Sequence, residues 1–143
     1  EQGPAAREWW RQAANSLRRG RLIAIDYGST DSQPFSPSRP QGTLRAYREH
    51  QLSDTLFDHI GEQDLTAHVD FPGIISTGEQ CGLSAEARPV LSQSKFLTEV
   101  LADAETDPGS FPHWTPKRLR QFQTLTHPGH LGEKFKVLIQ RRS

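Results

Sequence analysis

Apolar and polar positions along this chain fall into segments of two periods. In "REWWRQAANSLRR", residues 7–19, Trp9, Ala13 and Leu17 recur at helical spacing, and Trp10 and Ala14 widen the stripe. That spacing predicts an amphipathic helix. Gly20 suits the stop after it. Leu22 to Ile25, within "RLIAIDYG", form a continuous apolar run. Such a run predicts a strand buried on both faces, as in a parallel sheet. Helix, short turn and buried strand make one αβ unit. From about 28 to 63 the pattern dissolves into Ser, Pro, Gln and Gly ("STDSQPFSPSRPQG"). An insert of that length in a compact domain is usually functional or disordered.

Periodicity returns at "LTAHV", residues 65–69, where Leu65, Ala67 and Val69 are expected to face inward and Thr66 and His68 outward. Asp70, Pro72, the apolar side Ile74, Ile75 and Cys81, and Gly82 read as cap, first turn, body and stop of a helix. "AEARPVLSQ" predicts a strand whose Pro89 belongs at an edge or a bulge. "SKFLTEVLADAE" predicts a helix with Phe96, Leu97, Val100, Leu101 and Ala104 on one face. A Pro/Gly loop follows from 107 to 114. Thr115 and Pro116 then open a helix with Leu119, Phe122 and Leu125 inward, which "HPGH" ends. "KFKVLIQRR" closes the chain as a strand with Phe135, Val137 and Ile139 on one side. Lys134, Lys136 and Gln140 lie on the other, and Leu138 breaks the alternation. The order α-β-(long loop)-α-β-α-α-β predicts half of a doubly wound α/β domain.

Composition narrows the class. The chain has 143 residues, enough for one domain with a core, and 17 basic residues balance 17 acidic ones. A basic footprint is missing, which argues against nucleic-acid binding. One cysteine excludes an internal disulfide framework and fits a reducing compartment. No signal peptide and no apolar run of about 18 residues is present, so no membrane insertion is expected. The sequence contains no methionine, which suggests a chain that starts inside a longer gene.

Candidate chemistry lies at the strand tips. No G-x-G-x-x-G, P-loop or G-x-S-x-G occurs. Asp26, Tyr27 and Gly28 sit at the carboxyl end of the buried strand, where ligands bind in open α/β sheets. Asp64, Thr66, His68 and Asp70 alternate along one side of an extended segment and could form an acid/base or metal cluster, although Asp70 reads more simply as an N-cap. "SRPQGTLRAYREH", residues 38–50, gathers Arg39, Arg45, Tyr47, Arg48, Glu49 and His50. His127 and His130 have a spacing that can suit a metal, but a Pro-Gly turn explains it more simply. Cys81 reads as core, and Trp9 and Trp10 as core or interface.

"IDYG", "SRPQGTLRAYREH", "GEQDLTAHVDF" and "LGEKFKVL" occur in that order. Together they resemble the carboxyl-terminal half of the MidA family. These are S-adenosylmethionine-dependent methyltransferases that include the mitochondrial complex I assembly arginine methyltransferase. The resemblance spans about residues 7 to 141. It implies a class I, Rossmann-like α/β fold: a mostly parallel seven-stranded sheet with an antiparallel final strand. On that reading "RLIAIDYG" is strand five, "EARPVLSQ" strand six and "KFKVLIQRR" strand seven, inserted between them. Residues 1–143 are then the carboxyl-terminal part of one methyltransferase domain, with a long substrate-side loop at about 28–63. The family's glycine-rich cofactor loop lies in its amino-terminal half, which is absent here. S-adenosyl-L-methionine is therefore expected to be held mainly by that missing half. No cofactor-binding or metal residue is assigned on this chain, and the chain alone is expected to be inactive.

The resemblance also implies the roles. Methyl transfer to a protein arginine needs carboxylate acceptors, a proton relay and a walled pocket. Asp26 and Asp64 are the expected acceptors, with His68 as relay and His50 as an alternative one. Tyr27, Tyr47, His50, Thr66 and Arg45 are the expected substrate-binding residues. Tyr27 and Tyr47 would wall the pocket, and Arg45 would pair with an internal carboxylate and order the loop. The implied partner is a protein substrate, such as a respiratory complex I-type subunit, with no nucleic acid. A homo-oligomer is compatible with this. The implied compartment is the bacterial cytoplasm or the mitochondrial matrix. Two other classes remain open: a non-catalytic protein-binding or assembly module, and a metal-dependent hydrolase using His68, Asp70, His127 and His130.

Overall fold

The apolar run at 22–25 does build the centre of a sheet. The protein's structure is a computed structural model that describes residues 3–30, 40, 42–107, 109 and 114–143. Among these the elements run α1 (Pro4–Ser16), β1 (Gly20–Ser29), β2 (Arg45–Arg48), β3 (Gln51–Ser53), β4 (Asp64–Thr66), β5 (Val69–Asp70), α2 (Phe71–Gln80), β6 (Ser84–Ser92), α3 (Gln93–Thr106), α4 (Pro116–Thr126) and β7 (Phe135–Arg142). The main sheet has the order β5-β1-β7-β6. β7 lies antiparallel between β1 and β6, while β5 pairs in parallel with β1. β5, β1 and β6 therefore share one direction. This is an α/β fold with a mixed, mostly parallel sheet and an antiparallel final strand, as expected.

β1 is not buried on both faces. Ile23 and Ile25 are each 48% exposed. β7 covers one edge of β1 along its length. Among the described residues, the other edge has a partner only at Gly28 and Ser29, opposite Val69 and Asp70. The opposite surprise comes from β7. Leu138 and Gln140 are both completely buried on the side of Trp10, Phe71 and Ile74, which with Leu138 form the core cluster. Strand alternation turns Val137 and Ile139 the other way, and they are buried too. β7 is the strand buried on both faces, and α3 packs against it and β6.

Polar side chains tie the helices to that strand. Gln140 Oε1 accepts from Trp10 Nε1 of α1 at 2.8 Å, and its Nε2 donates to the Ile75 carbonyl of α2 at 3.0 Å. Arg142 Nη2 donates to the carbonyls of Ala14 and Cys81, at the carboxyl ends of the two helices. A cation there meets the negative end of each helix. Asp70 caps α2 by accepting from the Gly73 amide at 3.1 Å and also pairs with Arg7 of α1 at 2.5 Å. The stripe of α1 centres on Trp10 and Ala14, not on Trp9, which is 64% exposed. Cys81 is the C-cap of α2 and only half-buried. Gly82, at φ +80, follows it, and the Leu83 amide bonds back to Gly78 O at 2.9 Å. That is a glycine-dependent helix stop.

Pro89 behaves as expected. β6 is an edge strand, and its pairing with β7 slips between Ala85 and Val90. Thr115 caps α4, with Pro116 in the first turn. Leu119 and Leu125 of α4 stay 50% and 38% exposed rather than inward. No helix among the described residues is long and apolar enough to cross a membrane.

The polar segment is less structureless than its composition suggests. Its later part folds into a second, antiparallel sheet of order β3-β2-β4. Glu49 and His50 turn β2 into β3 with φ of 50° and 64°. Both central residues in the left-handed region make the type of tight turn that matches strand twist. Arg48 reaches Glu62 and the His59 ring, pinning the following loop. Residues 31–39 and 41, including Arg39, lie outside the described residues, as does most of the 107–114 loop.

Candidate functional site: a recess at the carboxyl end of β1

β1 ends where the small sheet begins to cover it. Between them lies a recess of about 310 Å³, lined by Tyr27, Thr43, Arg45, Tyr47, Thr66 and His68. The register explains the grouping. Arg45 sits opposite Thr66 and Tyr47 opposite Asp64 in the β2–β4 ladder. All four therefore share one face of the small sheet, since side chains alternate along each strand. Thr66 and His68 face this recess, while Leu65 is 56% exposed and Ala67 also lies at the surface. That reverses the expected orientation of Leu65 to His68. Leu65 and Thr66 belong to the small sheet, whose inside is set by the recess, whereas Val69 enters the main sheet in β5 and packs against the core as expected.

Tyr27 is the hub. Its ring meets Phe135, its neighbour across the β1–β7 ladder, edge-on at 5.7 Å, and the His68 ring at 6.0 Å. The His68 amide donates to Thr43 Oγ1 at 3.0 Å, which fastens the end of β4 to the turn before β2. Thr43 is a lining residue that the sequence reasoning missed. Its signal was there: it follows Gly42, which has φ +72, and a hydroxyl residue in a turn commonly accepts from a nearby backbone amide. Arg45 Nη1 donates to the carbonyls of Leu44 at 2.7 Å and Gly42 at 3.3 Å. The expected internal carboxylate partner is not what holds it. Among the described residues Arg45 has no ion pair.

The recess thus brings together Tyr27, Arg45, Tyr47, Thr66 and His68 of the candidate residues. Asp64 is exposed on the same face of the ladder, opposite Tyr47 at the rim. Two candidates lie elsewhere. His50 is exposed at the tip of the β2–β3 turn. Asp26 points to the opposite face of the main sheet from Tyr27. There it accepts from the Tyr27 amide at 2.7 Å and borders an apolar hollow of about 240 Å³ beside Trp9, Ile25 and Phe71. The His127 and His130 rings lie 4.9 Å apart, tilted by 56°, and His127 Nδ1 accepts from the Gly129 amide, the geometry of a closed turn. Among the described residues no group of three His, Cys, Asp or Glu is gathered as a metal-ion cage.

Similar proteins bring this geometry into focus. Residues 1–88 match the model of a family described as "putative S-adenosyl-L-methionine-dependent methyltransferase". The chain belongs to that methyltransferase family. Two crystal structures from Burkholderia thailandensis are similar over nearly its whole length. One is of an uncharacterized protein, at 31% identity and TM-score 0.76, and covers 99% of this chain. The other is of a "likely methyl transferase" bound to S-adenosyl-homocysteine, at 31% identity, TM-score 0.75 and 99% coverage. This chain spans 38% of the first structure's length and 36% of the second's. No curated protein matches it.

The family's cofactor is S-adenosyl-L-methionine, and the residues described here do not by themselves fit it. Both strand-to-helix turns of the main sheet are closed by side-chain caps, Asp70 before α2 and Ser92 before α3. Neither turn offers the glycine-lined open amides that a methyltransferase cofactor loop presents.

Proposed function

We propose that this chain is the carboxyl-terminal half of a MidA-type methyltransferase that methylates an arginine side chain of a protein substrate. S-adenosyl-L-methionine would be held mainly by the remainder of the domain. The observation that carries this reading is the recess at the tip of β1, which Tyr27 and Tyr47 both line. In open α/β sheets that is the ligand position. Tyr27 and Tyr47 offer aromatic faces to a planar cation. Asp64 at the rim is an acceptor for its N–H groups, and His68 is placed to relay a proton. Asp26, on the other face, takes no part in holding the acceptor in this arrangement. Its position beside Trp9 and Ile25 suits contact with the remainder of the domain instead.

The unpaired edge of β1 supports the half-domain part of the reading. Beyond Gly28 and Ser29 that edge has no partner among the described residues, and Ile23 and Ile25 leave one face of β1 half exposed; an open edge and an uncovered apolar face both invite a partner. The coverage of the relatives points the same way. Calorimetry tests it: a polypeptide joining this chain to the preceding part of the domain should bind S-adenosyl-homocysteine, and this chain alone should not. Stoichiometric binding by this chain alone would refute the division of labour.

Asp64→Asn in the joined enzyme tests the site. It removes one charge and keeps the shape. A charge-assisted hydrogen bond to the acceptor would be weakened, so methyl transfer should fall about tenfold. Turnover within about twofold of the parent would remove Asp64 from the site.

A further inference from the structure

We infer that the recess also receives a carboxylate of the acceptor polypeptide, bound by Arg45. This rests on the acceptor-site reading above and specifies which acceptors fit it.

Every described lining side chain can donate a hydrogen bond: two tyrosines, two threonines, a histidine and an arginine. Among these described residues none carries a negative charge. Arg45 is half-buried, and its Nη1 is engaged by two main-chain carbonyls. Those bonds fix the plane of the guanidinium. They leave the Nε and Nη2 edge without a partner among the described residues. A fixed guanidinium with one open edge suits a planar, two-oxygen anion, because the fork matches a carboxylate in bidentate geometry. Little ordering entropy remains to be lost when it binds.

Among the described residues the carboxylate on this face of the small sheet is Asp64, and it does not pair with Arg45. Arg45 is opposite Thr66 and Asp64 is opposite Tyr47, so the two are diagonal neighbours. Diagonal residues in such a ladder stand roughly 7–8 Å apart. The recess therefore has a cationic inner part and an anionic rim. An acceptor segment that places an acidic group close to its cationic side chain matches both ends, whereas a purely basic segment meets repulsion at Arg45. The selected acceptor is an arginine beside a carboxylate.

The test is an NMR titration of the chain with blocked amino acids, so methyl transfer is not the readout. N-acetyl-glutamate methylamide carries only a side-chain carboxylate, and N-acetyl-alanine only a terminal one. N-acetyl-glutamine methylamide is the neutral isostere. Saturable shifts at the amides of Tyr47, Thr66 and His68 are expected with at least one of the two carboxylate probes. The better of the two names the source. The glutamine probe should bind about tenfold more weakly. Arg45→Gln should erase that difference while keeping wild-type chemical-shift dispersion, and Arg45→Lys should restore part of it. Equal binding of the glutamate and glutamine probes, or of no probe at all, overturns the carboxylate site. So does unchanged binding in Arg45→Gln. N-acetyl-arginine methylamide separates the two ideas. If it binds and needs Asp64 while the carboxylate probes fail, the acceptor reading stands and this inference falls. If the carboxylate probes bind and the arginine probe does not, the reverse holds.

Discussion

Gln140→Ala should lower the unfolding midpoint by about 10 °C, from a loss of roughly 3 kcal/mol. Gln140 is one of the largest fully buried side chains in the molecule, and it is polar. Its amide bridges two helices to one strand: Trp10 Nε1 donates to it, and it donates to the Ile75 carbonyl. Truncation leaves the indole N–H of Trp10, a residue only 2% exposed, without its acceptor. Stranding one such donor costs about 1–3 kcal/mol, and the lost bond to Ile75 and the cavity add to it. Gln140→Leu separates these contributions. It refills the volume but restores neither bond, so it should recover only the packing part. A Leu variant melting within about 2 °C of the parent would show that the amide's bonds contribute little. Gly78→Ala reaches the same group from the other side: a β-carbon there would stand 2.0 Å from Gln140 Oε1. It should displace the amide and change Trp10 fluorescence in the same direction as Gln140→Ala.

Gln140 also marks a boundary of what the sequence discloses. Alternation in "KFKVLIQRR" correctly separates the two faces of β7. It cannot say that the second face is buried as well, because a buried Gln and a solvated Gln look alike until their partners are known. The same limit separates Trp9 from Trp10. Helical spacing finds a stripe about two residues wide, and only the approach of α2 decides that Trp10 is its centre. Where a signal is local, it is legible. Asp70 and Thr115 cap the helices they precede, and Pro89 sits at an edge with a slipped register. The final strand lies between the two it was expected to separate, but that expectation came from the family resemblance and not from a local signal.

The small sheet was hidden for a different reason. "RAYR" and "QLS" bury little apolar surface, since Ala46 is the one fully buried residue among them. Their pairing comes from the tight turn at Glu49 and His50 and from polar ties, and apolar alternation scarcely registers. The candidate site was half legible. Tyr27, Arg45, Tyr47, Thr66 and His68 are brought to one recess, although they come from three separate segments. Asp26 was grouped with Tyr27 because the two share a strand tip. Adjacent residues of a strand face opposite ways, and the sheet itself stands between them.

Gly28→Ala should damage the fold and the recess together. Gly28 lies opposite Val69 where β1 and β5 pair in parallel, the point at which the small sheet is anchored to the main one. A β-carbon there would come within 2.4 Å of the Val69 carbonyl oxygen and 2.7 Å of the Phe71 ring. Neither neighbour can give way cheaply. The carbonyl is main chain, and Phe71 is completely buried at the start of α2. Overpacking a core typically costs about 1–3 kcal/mol, and a main-chain clash belongs at the upper end of that range. A midpoint lower by about 10 °C is therefore expected. The displaced main chain is Val69, and the residue before it is His68. Pushing β5 away from β1 should carry His68 off the Tyr27 ring, now 6.0 Å distant, and open the recess. The measurements are thermal unfolding and the ring-current shift of the His68 protons. A folded Gly28→Ala variant with both unchanged would mean that β5 has room to spare. The close approach of the two strands would then not be what sets the recess.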